Sequence, residues 1–157
     1  MAPAYLALAL MKDGIYDGGL ENKFALKYNE LLRVNASDPK YLDQFLESAR
    51  IMGELGNVVE GIKMLREVED LYKQQGDYRL LSLVYYELGC SYMETEDYDA
   101  SYSFFHKASR VFNTIGMREM YLDSLYKLFK LASAQGNHDV AYSHLQEYER
   151  LVQEVDE

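Results

Sequence analysis

Apolar residues recur along this chain at helical spacing, in three stretches that repeat with a fixed offset of 40 residues. The stretches are GNVVEGIKMLREVEDL from Gly56, EDYDASYSFFHKASRVF from Glu96 and GNHDVAYSHLQEYERL from Gly136. Each opens on a turn signal and continues with apolar positions at i, i+3, i+4 and i+7, the pattern of an amphipathic helix. The three stretches therefore predict three equivalent helices.

A further helix is predicted before each of these turns. The segment DPKYLDQFLESARIMGEL begins with Asp38 as a candidate N-cap and Pro39 at the first helical position. YRLLSLVYYELGCSYMET and MREMYLDSLYKLFKLASA follow the same scheme, and Gly76 and Gly116 lie at the joints, as glycines do at helix C-termini. No segment alternates with period two, so no strands are predicted. The unit is a helix hairpin, repeated over residues 38–77, 78–117 and 118–157.

The middle copy resembles the tetratricopeptide repeat (TPR) family. The family pattern is Trp-x2-Leu-Gly-x2-Tyr in the first helix and Ala-x3-Phe with a further Ala in the second. The matching positions are Tyr85, Leu88, Gly89, Tyr92, Ser101, Phe105 and Ala108. The first copy has Phe45, Ser48, Ala49, Met52, Gly61, Leu65 and Val68 there, and the third has Leu125, Leu128, Phe129, Ala132, Ala141, Leu145 and Tyr148. The resemblance implies an all-α, right-handed solenoid, with helices longer than usual because the period is 40 rather than 34.

Gly89 lies in the middle of an apolar helix face, where glycine costs about 0.5–1 kcal/mol relative to alanine. The resemblance places it where the two helices of one hairpin cross most closely. We therefore expect a side chain at this position to displace Ser101 and Phe105.

Residues 1–37 fit the same frame less well. LENKFALKYNELLRV from Leu20 matches a second helix, AYLALALM a first helix, and DGIYDGG the turn between them. We interpret residues 1–37 as a degenerate capping repeat of one TPR-like domain, residues 1–157, with about eight helices. The alternative is that residues 1–19 are the tail of another element.

Composition restricts the partners. The chain has 157 residues, 16 Lys and Arg against 26 Asp and Glu, and a formal net charge of −10. That sign argues against binding of nucleic acid or of anionic membranes, since both need a basic surface. The apolar run at residues 4–11 is too short to span a bilayer and follows no basic leader. A single cysteine, Cys90, suits a reducing compartment, so we expect a cytoplasmic protein.

No catalytic motif stands out. The sequence has no phosphate-binding loop, no paired-histidine helix and no nucleophile elbow. His138 and His144 are six residues apart and do not share a helix face, and Cys90 has no nearby activating base in the sequence. We expect no catalytic residues, no metal, no cofactor and no enzymatic activity.

In TPR arrays, ligands usually lie in the concave groove lined by the first helices. The resemblance implies that the groove residues here are Asp43, Leu46, Arg50, Leu83, Tyr86, Cys90, Met93, Glu94, Asp123, Tyr126 and Lys130. Tyr86 and Tyr126 lie outside the repeat pattern, which makes them candidate anchors. The surface has an apolar, aromatic middle and charged ends, which suits a peptide with apolar anchors. It lacks the cluster of basic residues found in the carboxylate clamp of chaperone-binding TPR proteins.

The leading hypothesis is a non-catalytic module that binds a protein or peptide. By family analogy it is the regulatory or sensor part of a bacterial signalling or transcription-regulating protein.

The alternative hypothesis is a self-association unit that forms a homodimer. Two positions of the last helix become more polar than in the middle copy, where Phe104 and Ser109 correspond to His144 and Glu149. Leu151, Val152 and Val155 nevertheless keep an apolar strip. We expect a symmetry mate or a following domain to cover that strip.

Overall fold

The computed structural model describes residue 56 and residues 58–156, with side chains up to Glu154. Five helices run through this part of the chain: α1 (Val58–Gln75), α2 (Tyr78–Glu94), α3 (Tyr98–Ile115), α4 (Arg118–Ala134) and α5 (His138–Asp156). The described residues contain no strand, which confirms the all-α prediction for them. The predicted first repeat, the helix at 38–55 and the total of about eight helices fall largely outside the described residues and stay predictions.

The helix boundaries repeat with the period found in the sequence. α1, α3 and α5 begin at residues 58, 98 and 138, and α2 and α4 begin at 78 and 118. Each pair of equivalent helices is therefore offset by 40 residues. The chain divides into two compact units, Met1–Gly76 and Asp77–Glu157, and the division coincides with a joint between two predicted repeats.

In the first unit, α1 buries one face and carries one buried charge. Its buried residues are Gly61, Met64, Leu65, Val68, Glu69 and Tyr72. The Glu69 carboxylate lies 3.0 Å from Arg66 Nη1 and 3.1 Å from Lys73 Nζ, one turn away on either side. Two cations at helical spacing thus compensate a carboxylate that is only 2% exposed.

In the second unit, each of the helices α2 to α4 packs against the next one along the chain. Two of these helices begin with an aspartate cap: Asp77 Oδ1 accepts from Leu80 N at 3.1 Å, and Asp97 Oδ1 accepts from Ala100 N at 3.2 Å. α3 ends at Gly116, which takes a left-handed conformation (φ 80°) that glycine adopts without steric cost. Local chemistry therefore fixes the turns that fold the helices back on one another.

The α2–α3 hairpin closes around Gly89. A Cβ atom at Gly89 would lie 2.8–2.9 Å from three ring atoms of Phe105, which is too close for any side chain. On the same side, Ser101 Oγ donates to the Gly89 carbonyl oxygen at 2.7 Å. Both Ser101 and Phe105 are fully buried. The glycine is thus needed for the close approach that the sequence predicts.

We predict that Gly89→Leu destabilises the chain by about 1–3 kcal/mol or more, because the new side chain overpacks the helix crossing. Ser101→Leu should act in the same direction from α3. Ser103→Leu is the matched control, since Ser103 is exposed on the same helix and should tolerate the change. Thermal and urea unfolding of the three variants measure the effect. A Gly89→Leu variant as stable as the parent would contradict the helix crossing described here.

Candidate functional site

The predicted groove residues that the structure describes lie on α2 and α4, and we call them the first-helix surface: Leu83, Tyr86, Cys90, Met93, Glu94, Asp123, Tyr126 and Lys130. Five of them are half-buried, whereas Glu94, Tyr126 and Lys130 are exposed. Asp43, Leu46 and Arg50 lie outside the described residues. The described members of this set lie on α2 and α4, two equivalent helices that are offset by 40 residues.

Tyr86 and Asp123 connect those two helices. The Tyr86 hydroxyl donates a hydrogen bond to Asp123 Oδ2, across from α2 to α4. The Tyr86 ring meets Phe105 edge-on at a centroid distance of 5.4 Å, and Lys127 Nζ lies 5.8 Å from the centre of the same ring. Tyr86 is a predicted ligand anchor, and these contacts also make it part of the packing between repeats.

The environment of this bridge keeps two acidic groups protonated. Burial, followed by the hydrogen bond to Asp123, raises the pKa of the Tyr86 hydroxyl above its ordinary value. Burial, followed by the charge of Glu87, raises the pKa of the Cys90 thiol to about 12. Since the thiolate is the reactive form, Cys90 contributes packing rather than nucleophilic chemistry at neutral pH.

An apolar strip follows the bridge along α2. Cys90 and Met93 pack against the buried cluster of Phe105, Leu128 and Leu131, but both stay partly exposed. Glu94 and Lys130 supply exposed charges of opposite sign in the same surface set. The arrangement offers a rigidly supported apolar patch with polar edges.

Tyr126 is the exposed aromatic residue of the first-helix surface, with 46% of its area accessible. Its ring lies 6.3 Å from the ring of Phe129 and 6.1 Å from that of Tyr148 on α5. Lys130 Nζ lies 5.5 Å from its centre. Among the described residues, the Tyr126 hydroxyl has no hydrogen-bond partner, unlike that of Tyr86.

The repeat signature of the middle copy forms the core of its hairpin. Tyr85, Leu88, Gly89, Ser101, Phe105 and Ala108 are buried, and Tyr92 is half-buried and stacks on Phe104 at 5.5 Å. The described signature positions of the first and third copies are likewise either buried or half-buried. Gly61, Leu65, Val68, Leu125, Leu128, Ala132 and Ala141 are buried, whereas Phe129, Leu145 and Tyr148 are half-buried.

One polar contact escaped the sequence analysis. The Tyr102 hydroxyl lies 2.8 Å from His144 Nε2, joining α3 to α5, and the ring of His106 stacks beside Tyr102 at 6.2 Å. We interpret the replacements of Phe104 by His144 and of Ser109 by Glu149 as a move toward solvent. Phe104 and Ser109 are buried, whereas His144 is half-buried in this contact and Glu149 is exposed, in agreement with that interpretation. The facing positions of α3 and α5 cannot be paired from sequence spacing alone.

The apolar strip predicted for self-association divides in the structure. Leu151 is half-buried and lines a cavity of about 250 Å³ together with Phe112 and Tyr121, and its carbonyl oxygen accepts from Arg118 Nη2 at 2.6 Å. Val152 is 36% exposed, and the side chain of Val155 lies outside the described residues. Leu151 is thus partly covered by its own chain, and self-association stays a prediction.

Among the residues that the structure describes, no group of three His, Cys, Asp or Glu side chains could hold a metal ion. Within the same range, no helix is long and apolar enough to cross a membrane.

A comparison with solved structures decides the fold. A crystal structure of nearly identical TPR-like repeats, from a Podosopora anserina protein whose name describes it as a kinesin light chain, matches with a TM-score of 0.56. The match covers 99% of this chain and 95% of that one, at 13% sequence identity. This chain has a TPR-like helical-repeat fold. Neither a scan against protein-family models nor a search of curated proteins found a match.

We predict that the bridge between the TPR-like repeats stabilises the fold. Tyr86→Phe should cost about 1 kcal/mol, because it leaves the partly buried Asp123 carboxylate without its donor. A double-mutant cycle with Asp123→Ala should show a favourable coupling energy in urea unfolding. Tyr126→Phe is the matched control and should leave the unfolding free energy unchanged. Strictly additive effects of the Tyr86 and Asp123 changes would contradict the bridge.

The burial of His144 predicts that the stability of the fold depends on pH. Burial, followed by the charge of His106, lowers the pKa of His144 below its ordinary value. The unfolded chain therefore binds a proton more readily than the folded one, and stability should fall as the pH drops through the unfolded-state pKa of histidine, about 6.5.

Urea unfolding of the parent and of His144→Gln between neutral and mildly acidic pH measures this effect. The parent should lose more stability than the variant, and His138→Gln, on the exposed start of α5, is the control. Equal losses of stability in the parent and in His144→Gln would refute the attribution of the pH dependence to His144.

Proposed function

We propose that this chain is a non-catalytic protein-interaction module that binds an extended or helical segment of another protein on its first-helix surface. The TPR-like fold supports this proposal because folds of this kind stack helix hairpins into extended binding surfaces. The finer role, as the regulatory or sensor part of a bacterial signalling or transcription-regulating protein, follows only from the period near 40 and stays a prediction.

The observation that carries the proposal is the apolar strip of Cys90 and Met93. Both side chains pack against buried Phe105, Leu128 and Leu131, yet keep part of their surface accessible. Because the strip is attached to the core, a ligand that covers it loses little free energy in ordering it. Methionine also adapts to apolar partners of different shape.

The surrounding charges favour a ligand of mixed polarity. Glu94 and Lys130 are both exposed in this surface set, so a segment with an apolar anchor and flanking charges of both signs fits it. The net charge of −10 favours association with segments that are basic overall.

We predict that peptides selected from a phage-displayed random library on the full chain lose about tenfold or more in affinity upon Met93→Lys, because a charge then occupies the apolar strip. Tyr126→Ala should weaken the same peptides to a smaller extent. Tyr98→Lys and His106→Ala are the controls, since both residues lie exposed on α3.

Binding is measured by calorimetry, with circular dichroism as the check on folding. Peptides that tolerate Met93→Lys, or whose protection in hydrogen exchange maps to α3 and α5, would refute the proposal.

The second candidate function is self-association through α5. It is favoured by the exposure of Val152, at 36%, and of Tyr142, at 61%. A molar mass that doubles with increasing concentration, and that returns to the monomer value in Tyr142→Lys, would favour this function. A mass that stays at the monomer value would exclude it.

A further inference from the structure

The 40-residue period makes α4–α5 the structural equivalent of α2–α3. Since α4 packs on α2–α3, the chain itself shows what kind of helix covers this type of surface. Asp123 of α4 accepts the Tyr86 hydroxyl bond, and Leu128 and Leu131 pack on Phe105. A covering helix therefore presents one carboxylate, and then apolar side chains five and eight residues later.

The equivalent surface on α4–α5 is uncovered within the described part of the chain, and we call it the open face: Tyr126, Lys130, Tyr142, Leu145 and Val152. Tyr126, Tyr142 and Val152 are 46%, 61% and 36% exposed. Their equivalents Tyr86 and Tyr102 are half-buried, and Phe112 is fully buried. The difference in exposure is the area that a covering helix would remove from water.

One substitution between the two surfaces sets the charge of the occupant. Lys130 is the equivalent of Cys90, one period later. Cys90 interacts electrostatically with both Asp123 and Lys127. On the open face, a carboxylate at the Asp123 position would therefore gain Lys130 as well as the free Tyr126 hydroxyl. A cation at the Lys127 position would instead be repelled by Lys130.

We infer that the open face docks an amphipathic helix of another protein. Its carboxylate meets Tyr126 and Lys130, its apolar residues five and eight positions later cover Leu145 and Tyr142, and it has no cation four residues after the carboxylate. This surface shares Tyr126 and Lys130 with the first-helix surface but extends over α5, so it does not depend on the strip of Cys90 and Met93.

The chain supplies its own probe. A synthetic peptide of residues 118–134 carries the carboxylate of Asp123 and both leucines. The peptide with Lys127→Glu should bind the full chain about tenfold more tightly than the parent peptide, because it replaces a repulsion from Lys130 with an attraction. Calorimetry measures the affinities, and NMR shift changes identify the face that is occupied.

Variants of the chain locate the site. Tyr142→Ala and Val152→Ala should each weaken binding of the Lys127→Glu peptide severalfold. Tyr98→Ala, at an exposed position of α3, is the control. Met93→Ala should have no effect, whereas it should weaken ligands of the first-helix surface. The two proposals can therefore fail separately.

Charge reversal is the sharpest test. A peptide with Asp123→Lys that keeps Lys127 should lose binding to the parent chain, because Lys130 repels both of its cations, and should regain binding with Lys130→Glu. The inference is overturned if the Lys127→Glu peptide does not bind, or if Lys130→Glu does not rescue the charge-reversed peptide. NMR shift changes confined to α2–α3 would overturn it as well. Concentration-dependent dimerisation without peptide, abolished by Tyr142→Lys, would overturn it as well, since a second copy would then be the occupant.

Discussion

The close contact between Gly89 and Phe105 is the constraint on which the rest of the second unit depends. Any side chain at Gly89 would overlap the Phe105 ring, so the glycine sets the separation of α2 and α3. The Phe105 ring, placed in this way, then supports Leu128 and Leu131 of α4 and the edge of Tyr86. The absence of a side chain at Gly89 thus determines how closely α2 and α3 pack, and also the surface on which α4 packs.

The same contact connects packing with the candidate surface. Cys90 and Met93 are partly accessible and pack against the Phe105 cluster, so the apolar strip is supported by the core. Tyr86 illustrates the consequence of that coupling. Its hydroxyl bond to Asp123 joins α2 to α4, and its ring packs against Phe105. These contacts reduce the Tyr86 surface that a ligand can reach.

The repeat also shows how one surface can serve two purposes. Between α2–α3 and α4, the positions of Tyr86, Cys90 and Phe105 make an internal joint. The same positions one period later are Tyr126, Lys130 and Leu145, and their surface stays accessible in the described part of the chain. At the position of Cys90 the later repeat has Lys130, which adds a positive charge to this surface.

The sequence by itself determined the helical class, the 40-residue period, the turns and the glycine at the hairpin crossing, because these depend on local spacing and on the steric limits of single residues. It also placed the first-helix surface on two equivalent helices. Only the tertiary structure decided that Tyr86 bridges to Asp123, that His144 is half-buried against Tyr102, and that Leu151 is half-buried beside a cavity while Val152 is exposed. Those outcomes depend on which side chains of different helices face each other, and helical periodicity defines a face but not its partner.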